Sequence, residues 1–304
     1  MNTTDMKIPS NRVSDIRRYC REQLRGLYPD GEIESMVRLL FEAYLGWDTT
    51  QILLHGTDTI NQSDLLKFHW AIEYLKHYRP IQHIIGYTDF CDCRIHVSPD
   101  VLIPRPETEE IVRNVIDLVS QKTHATSGIN ILDLCTGSGC MAIALARAIP
   151  QATVVAVDLS EKALAMAERN AQANNVEIQY LRADVLDTET LTTQLRALSD
   201  NGFDIIVSNP PYVMESERRE MQRNVTDYEP AMALFVPDAD PLRFYRSIAA
   251  IASALLSSNG FAALEINEQL GIETATLFTQ RGLVSTIRKD FRNRDRMIIA
   301  SKQQ

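Results

Sequence analysis

Residues 131–146 read ILDLCTGSGCMAIALA: an apolar run, a loop holding Gly137 and Gly139, and an alanine-rich run of helical character. Glycine accepts positive φ and lets a ligand approach the backbone closely. The helix that follows presents free N–H groups at its start. One unit later, VVAVDLS puts Asp158 at a strand end. An acid about 20 residues past such a loop takes the ribose hydroxyls of an adenosine. LRADVLD then places Asp184 after the next strand, within reach of the adenine amino group, with Val185 beside it.

Outward from this loop the period alternates. Strands are expected near 129–135, 152–158, 177–182 and 203–208, and helices near 139–149, 160–174 and 188–198. Strand–helix alternation implies a parallel sheet with right-handed crossovers. After Tyr212 come an insertion, a helix at 241–257, a strand at 260–266, a further helix, and two strands near 283–289 and 295–301 that form an antiparallel pair.

Two cofactors compete for the loop. Gly137, Ser138, Gly139 and Ala142 fit the loose G-x-G-x-x-A pattern of NAD binders. Asp133, however, lies in the strand end just before the loop. A carboxylate there repels a pyrophosphate and accepts from an ammonium. S-adenosylmethionine has no phosphate and carries an α-ammonium, so it is favoured. The plain alternative is a glycine turn with no ligand.

The fourth strand ends IIVSNPPYVM, residues 205–214. Proline cannot continue a central strand, and Asn209 falls at the carboxyl edge where open α/β sheets bind ligands. A planar amino group is a poor nucleophile because its lone pair is delocalised. Two acceptors that hold its hydrogens aim the nitrogen at a methyl. The Asn209 side-chain oxygen and the Pro210 carbonyl supply them, Pro210 and Pro211 bring no competing N–H, and Tyr212 stacks on the flat group. These bonds strengthen as charge develops on the nitrogen. The structural alternative is a strand end with a rigid turn.

NPPY in this setting is shared by methyltransferases acting on planar amino groups. Together with PIQHIIGYTDF, VLIPRPETEEIV, DLCTGSGC, DYEPAMAL and KDFRNRDR, it closely resembles the peptide chain release factor glutamine methyltransferases, the PrmC/HemK family, from about residue 10 onward. The resemblance implies a Rossmann-like class I methyltransferase with a mostly parallel seven-stranded sheet. It implies methyl transfer from S-adenosylmethionine to the N5 nitrogen of the glutamine in the GGQ loop of class I release factors. The donor site would comprise Cys135, Thr136, Gly137, Ser138, Gly139, Asp158, Asp184, Val185 and Asn209, with Phe90, Arg105 and Glu107 near it. Asn209, Pro210, Pro211 and Tyr212 would hold the glutamine. The chain departs from the family at Cys135 and Asn267, where Gly is common, at Val185, where an aromatic is common, and in AMALFVPDADPL. The Cys135 thiol must point away from the ligand.

The first 80 residues read as a helical bundle that binds the partner, with helices in VSDIRRYCREQLRGL, EIESMVRLLFEAYLG and SDLLKFHWAIEYLKHY, the last capped by Ser63. Pro29-Asp30-Gly31 breaks the first from the second. Residues 81–105 form a hairpin connector, and the methyltransferase domain runs from a helix opened by Pro106 to residue 304.

The net charge of −9 argues against a long nucleic-acid substrate, and RKDFRNRDR alternates its signs as a solvated turn does. MNTTDMKIPS lacks an apolar signal core, and no stretch approaches the roughly 20 apolar residues of a membrane span. Five cysteines read as reduced thiols of a cytoplasmic protein. Cys91, Cys93 and His96 alternate as in a strand, so no metal is expected. His83 is read as structural, and Cys135 with Cys140 lacks redox spacing. The rivals left open are an N-methyltransferase for a nucleobase in RNA or DNA, an NAD-dependent dehydrogenase, and a non-catalytic binding module.

Overall fold

The computed structural model describes residues 10–121 and 128–303. The leader stretch read above as MNTTDMKIPS lies, but for its last residue, outside them. The chain divides into two compact units: Met1–Gly86 with Arg223–Tyr228, and Tyr87–Gln222 with Glu229–Gln304.

The smaller unit holds α1 (Val13–Leu24), α2 (Asp30–Leu45), α3 (Thr49–Leu54), α4 (Gln62–Lys76) and α5 (Ile81–Ile85). Apolar residues three and four apart on α1, α2 and α4 face one core, in which Phe41 and Phe68 lie 4.7 Å apart. Pro29 is the N-cap of α2, so the break precedes Asp30 and Gly31 is helical. Helix α4 is capped by Asn61, whose side chain accepts from Asp64 N, and Ser63 already lies inside it. Asn precedes the first turn with its oxygen free to accept, which outcompetes the expected serine. The segment 223–228 belongs to this unit: Tyr228 donates to the His77 carbonyl at 2.7 Å, and the Arg223 guanidinium lies 4.9 Å from the Tyr78 ring.

The larger unit opens with a hairpin of β1 (Tyr87–Phe90) and β2 (Cys93–His96), followed by α6 (Pro106–Gln121). The hairpin is not a free connector: Phe90, Cys93 and Ile95 are core residues of this unit. Then come β3 (Asn130–Leu134), α7 (Cys140–Ala148), β4 (Thr153–Asp158), α8 (Glu161–Ala173), β5 (Gln179–Arg182), α9 (Thr188–Leu198) and β6 (Phe203–Ser208). Beyond β6 lie β7 (Val213–Met214), α10 (Arg223–Thr226), which returns to the smaller unit, β8 (Phe235–Val236), α11 (Arg243–Leu255), β9 (Leu256–Glu265), α12 (Gly271–Gln280), β10 (Leu283–Lys289) and β11 (Asp295–Lys302).

Seven strands form one sheet in the order β10-β11-β9-β6-β3-β4-β5. Strands β9, β6, β3, β4 and β5 are mutually parallel, while β11 is antiparallel to both β9 and β10. Side chains alternate across the sheet as the strand period requires. Ile131, Val154, Ala156, Ile205 and Val207 enter the core on one face, and Leu132, Val155, Val157 and Ile206 the core on the other. Strand β3 lies between β4 and β6, so crossovers leave it in opposite directions and a crevice opens at its carboxyl end.

Candidate active site

A cavity of about 400 Å3 occupies that crevice. Each parallel strand delivers its expected group there: Cys135 to Ser138 after β3, Asp158 at the end of β4, Asp184 and Val185 after β5, and Asn209 with Pro211 after β6. The remaining wall comes from Asp100 to Leu102, Pro104 and Thr108 on one side, and Pro230, Met232, Phe235 and Phe244 on another.

The loop is held by its own acids. Asp158 accepts from Gly137 N at 2.8 Å and from Ser160 N at 2.9 Å. Asp133 accepts from the Thr136 hydroxyl at 2.6 Å and from Ala142 N, in the first turn of α7, at 3.2 Å. Asp184 accepts from Leu186 N. Two N–H groups of the loop and the helix start, those of Gly137 and Ala142, thus already serve carboxylates. Burial raises the Asp158 carboxyl above its ordinary value and pushes Asp133 up to about 7. Asp133 is fully buried and does not line the cavity, so its first duty is to shape the loop. Gly139 does not line it either. Its φ of +81° opens α7, and a Cβ there would stand 2.9 Å from Ala167 Cβ, so Gly139 lets α7 pack on α8.

Cys135 carries φ of 61°, a conformation that glycine adopts without strain. Burial holds its thiol well above the ordinary thiol range, and the Asp158 and Asp133 carboxylates add to that rise.

Phe90, Arg105 and Glu107, expected beside the donor, do not line the cavity. Phe90 is 1% exposed within the apolar core. Glu107, in the first turn of α6, reaches toward Arg292 at 4.0 Å. Arg105 pairs with the buried carboxylate of Glu229, whose other oxygen accepts from Ile103 N at 3.0 Å. That double attachment ties the two cavity walls, 100–104 and 230–237, together.

Among the NPPY residues, Asn209 and Pro211 line the cavity while Pro210 and Tyr212 do not. Tyr212 packs against the core and donates to Glu265 Oε1 at 2.7 Å. Asn209 Nδ2 donates to Thr108 Oγ1 at 3.2 Å, and its oxygen has no hydrogen-bond partner among the described residues. Thr108, Glu229 and Glu265 were not singled out from the sequence. Glu265 closes an apolar strand with an acid, as Asp158 does, and that signal was open to reading.

Among the described residues no cluster of three or more His, Cys, Asp or Glu is arranged to hold a metal, and no helix is long and apolar enough to cross a membrane. Cys93 is a buried residue of the hairpin itself, and all five cysteines are free thiols.

The donor set fits S-adenosylmethionine: carboxylates at the ends of β4 and β5, open space above Gly137, apolar walls at Val185 and Phe244, and no anion cradle. Fold and site define an S-adenosylmethionine-dependent class I methyltransferase. Residues 115–227 match the family model of the methyltransferase small domain, and residues 15–86 that of the PrmC N-terminal domain. The chain belongs to the release factor glutamine methyltransferases. It is 40% identical to the protein of that name from Flavobacterium psychrophilum over 94% of this chain and 98% of that one. It is 37% identical to the one from Bacteroides thetaiotaomicron over 95% of this chain and 100% of that one. A solved structure of the hMettl16 catalytic domain in complex with MAT2A 3'UTR hairpin 6 shares the fold, with a TM-score of 0.51, 12% identity, and coverage of 80% of this chain and 83% of that one.

Proposed function

We propose that this enzyme methylates the side-chain N5 nitrogen of the glutamine in the GGQ loop of class I release factors, in the cytoplasm. The observation that carries the reading is the carboxamide of Asn209: it stands on the cavity wall, its NH2 engaged by Thr108 and its oxygen free to accept. Bound S-adenosylmethionine supplies an electrophilic sulfonium methyl. Asp158 would take the ribose hydroxyls, and Asp184 with Val185 the adenine. Asn209 Oδ1 and the Pro210 carbonyl would each accept one N–H of the glutamine amide. Held so, the nitrogen lone pair lies along the line of attack, and both acceptors stabilise the charge that grows on nitrogen. The S–CH3 bond would break as the N–CH3 bond forms, releasing S-adenosylhomocysteine, and the methylated nitrogen would give its extra proton to water without a dedicated base. Pro210 and Pro211 help by contributing no donor.

The test is methyl transfer from labelled S-adenosylmethionine to a purified release factor, beside a copy whose GGQ glutamine is changed to alanine. Label confined to the intact loop supports the reading. Label on added RNA or DNA and none on protein moves the acceptor to a nucleobase and overturns it.

A further inference from the structure

We propose that Glu265 is a positioning residue that, through Thr108, fixes which end of the Asn209 carboxamide faces the methyl acceptor. The inference rests on the acceptor role given above to Asn209. Glu265 ends β9, alongside β6, and its residue is 2% exposed. Its Oε2 accepts from the Thr108 hydroxyl at 2.6 Å and its Oε1 from the Tyr212 hydroxyl at 2.7 Å. Tyr245 donates to its backbone carbonyl at 3.0 Å. Burial raises the carboxyl, and the two hydroxyl donors and the Arg296 charge act against that rise.

The consequence is one of hydrogen-bond polarity. Both carboxyl oxygens of Glu265 accept from hydroxyls, and a hydroxyl has a single proton. Thr108 commits that proton to Glu265, so toward Asn209 its oxygen can only accept. Asn209 must turn Nδ2 to Thr108, where the 3.2 Å contact stands, and Oδ1 to the cavity. A single buried carboxyl group therefore sets the direction of the chain of bonds that runs through Thr108 to Asn209. With that acceptor removed, the Thr108 hydroxyl is free to donate to Oδ1. The carboxamide then flips and sets its own N–H groups against those of the glutamine. The same carboxylate grips Tyr212, so Asn209 and Tyr212, the two ends of the NPPY run, share one anchor.

The experiment uses the full chain with Thr108→Val, Thr108→Ser, Glu265→Gln and Asn209→Ala. It measures kcat, KM for the release factor, the Kd of S-adenosylmethionine by calorimetry, and Tm. Thr108→Val keeps the shape and loses the hydroxyl, so it needs no refolding of the site. Its kcat should fall about ten- to a hundredfold, as for a misaimed group, with KM and donor Kd within about twofold. Thr108→Ser should restore most of the rate. Thr108→Val combined with Glu265→Gln should be no worse than the poorer single variant, since both act through one chain of bonds. Wild-type kcat in Thr108→Val beside an inactive Asn209→Ala overturns the positioning role alone. A serine variant as slow as the valine variant does the same, because shape rather than polarity would then matter. Normal turnover by Asn209→Ala removes the acceptor role itself, and the proposal with it.

Discussion

Replacing Glu229 with alanine should cost the enzyme its donor before it costs it the fold. The Glu229 side chain is 1% exposed and pairs with Arg105, which is 32% exposed. Breaking a buried pair costs roughly 3–5 kcal/mol, but water reaches part of the Arg105 guanidinium, so the lower end applies. Ile103 N, bonded to Glu229 at 3.0 Å, is also orphaned. A buried donor left unmade costs about 1–3 kcal/mol, part of which the same range already contains. A total near 3 kcal/mol is thus expected. The tie joins two segments that line the cavity, so separating them relieves the orphaned groups by admitting water. If about 2 kcal/mol of the cost appears as an open wall, donor affinity falls about thirtyfold. Glu229→Gln keeps an acceptor for Ile103 but turns an NH2 on Arg105, and should fall between. Calorimetric titration of S-adenosylmethionine, with a denaturant midpoint on the same samples, reads both effects. A Kd for Glu229→Ala within twofold of wild type refutes the tie between the walls, whatever the midpoint does.

Gly139→Ala should lower stability by about 2–4 kcal/mol, combining left-handed strain with overpacking, because its Cβ would stand 2.9 Å from Ala167 Cβ; a lower urea midpoint at unchanged slope checks it. Asp133 has a folded-state value of about 7 against an ordinary 3.8. The folded state therefore holds the proton longer, and this group's contribution to stability is present at low pH and lost as pH rises from about 4 to about 7. Asp133→Asn keeps an acceptor for Thr136 and Ala142, so its stability relative to wild type should climb through that window, by on the order of 4 kcal/mol, and stay level above it; a flat difference refutes the assignment. All five thiols are raised by burial, Cys20 and Cys91 to about 12. A thiol reagent at pH 8 should therefore react with the native enzyme at least about tenfold more slowly than with free cysteine, and rapidly after unfolding.

The repeating units of the larger domain were legible because each is local. The runs around β3, α7, β4, α8 and β6 announce their own period, and the groups that follow each strand land in one crevice by topology alone. Helices α3 and α5 were not anticipated. They are too short to show a period, and rest on brackets instead: a capping box between Asp48 and Gln51, and Pro80 with a left-handed Gly86. The site's supporting bonds were the least legible. Thr108 meets Glu265, and Arg105 meets Glu229, more than a hundred residues along the chain. Nothing in either neighbourhood names its partner. Arg105 thus read as a ligand for the donor, although its charge is taken up by a wall of the cavity. The bond from the Tyr212 hydroxyl was hidden for the same reason, since the acid that holds it comes from the far end of β9.

The chain passes between its two units at Gly86, at Gln222 and again at Tyr228. Its modules are therefore not beads on a string. Cutting once after Gly86 would strip the helical unit of the turn that carries Arg223 and Tyr228, and leave that turn as a loose flap on the catalytic half. Exchange of the front portion for a different helical unit must rewrite residues 223–228 as well. Each of the two compact units is thus assembled from stretches that are separated along the sequence, and neither can be cut out with a single break.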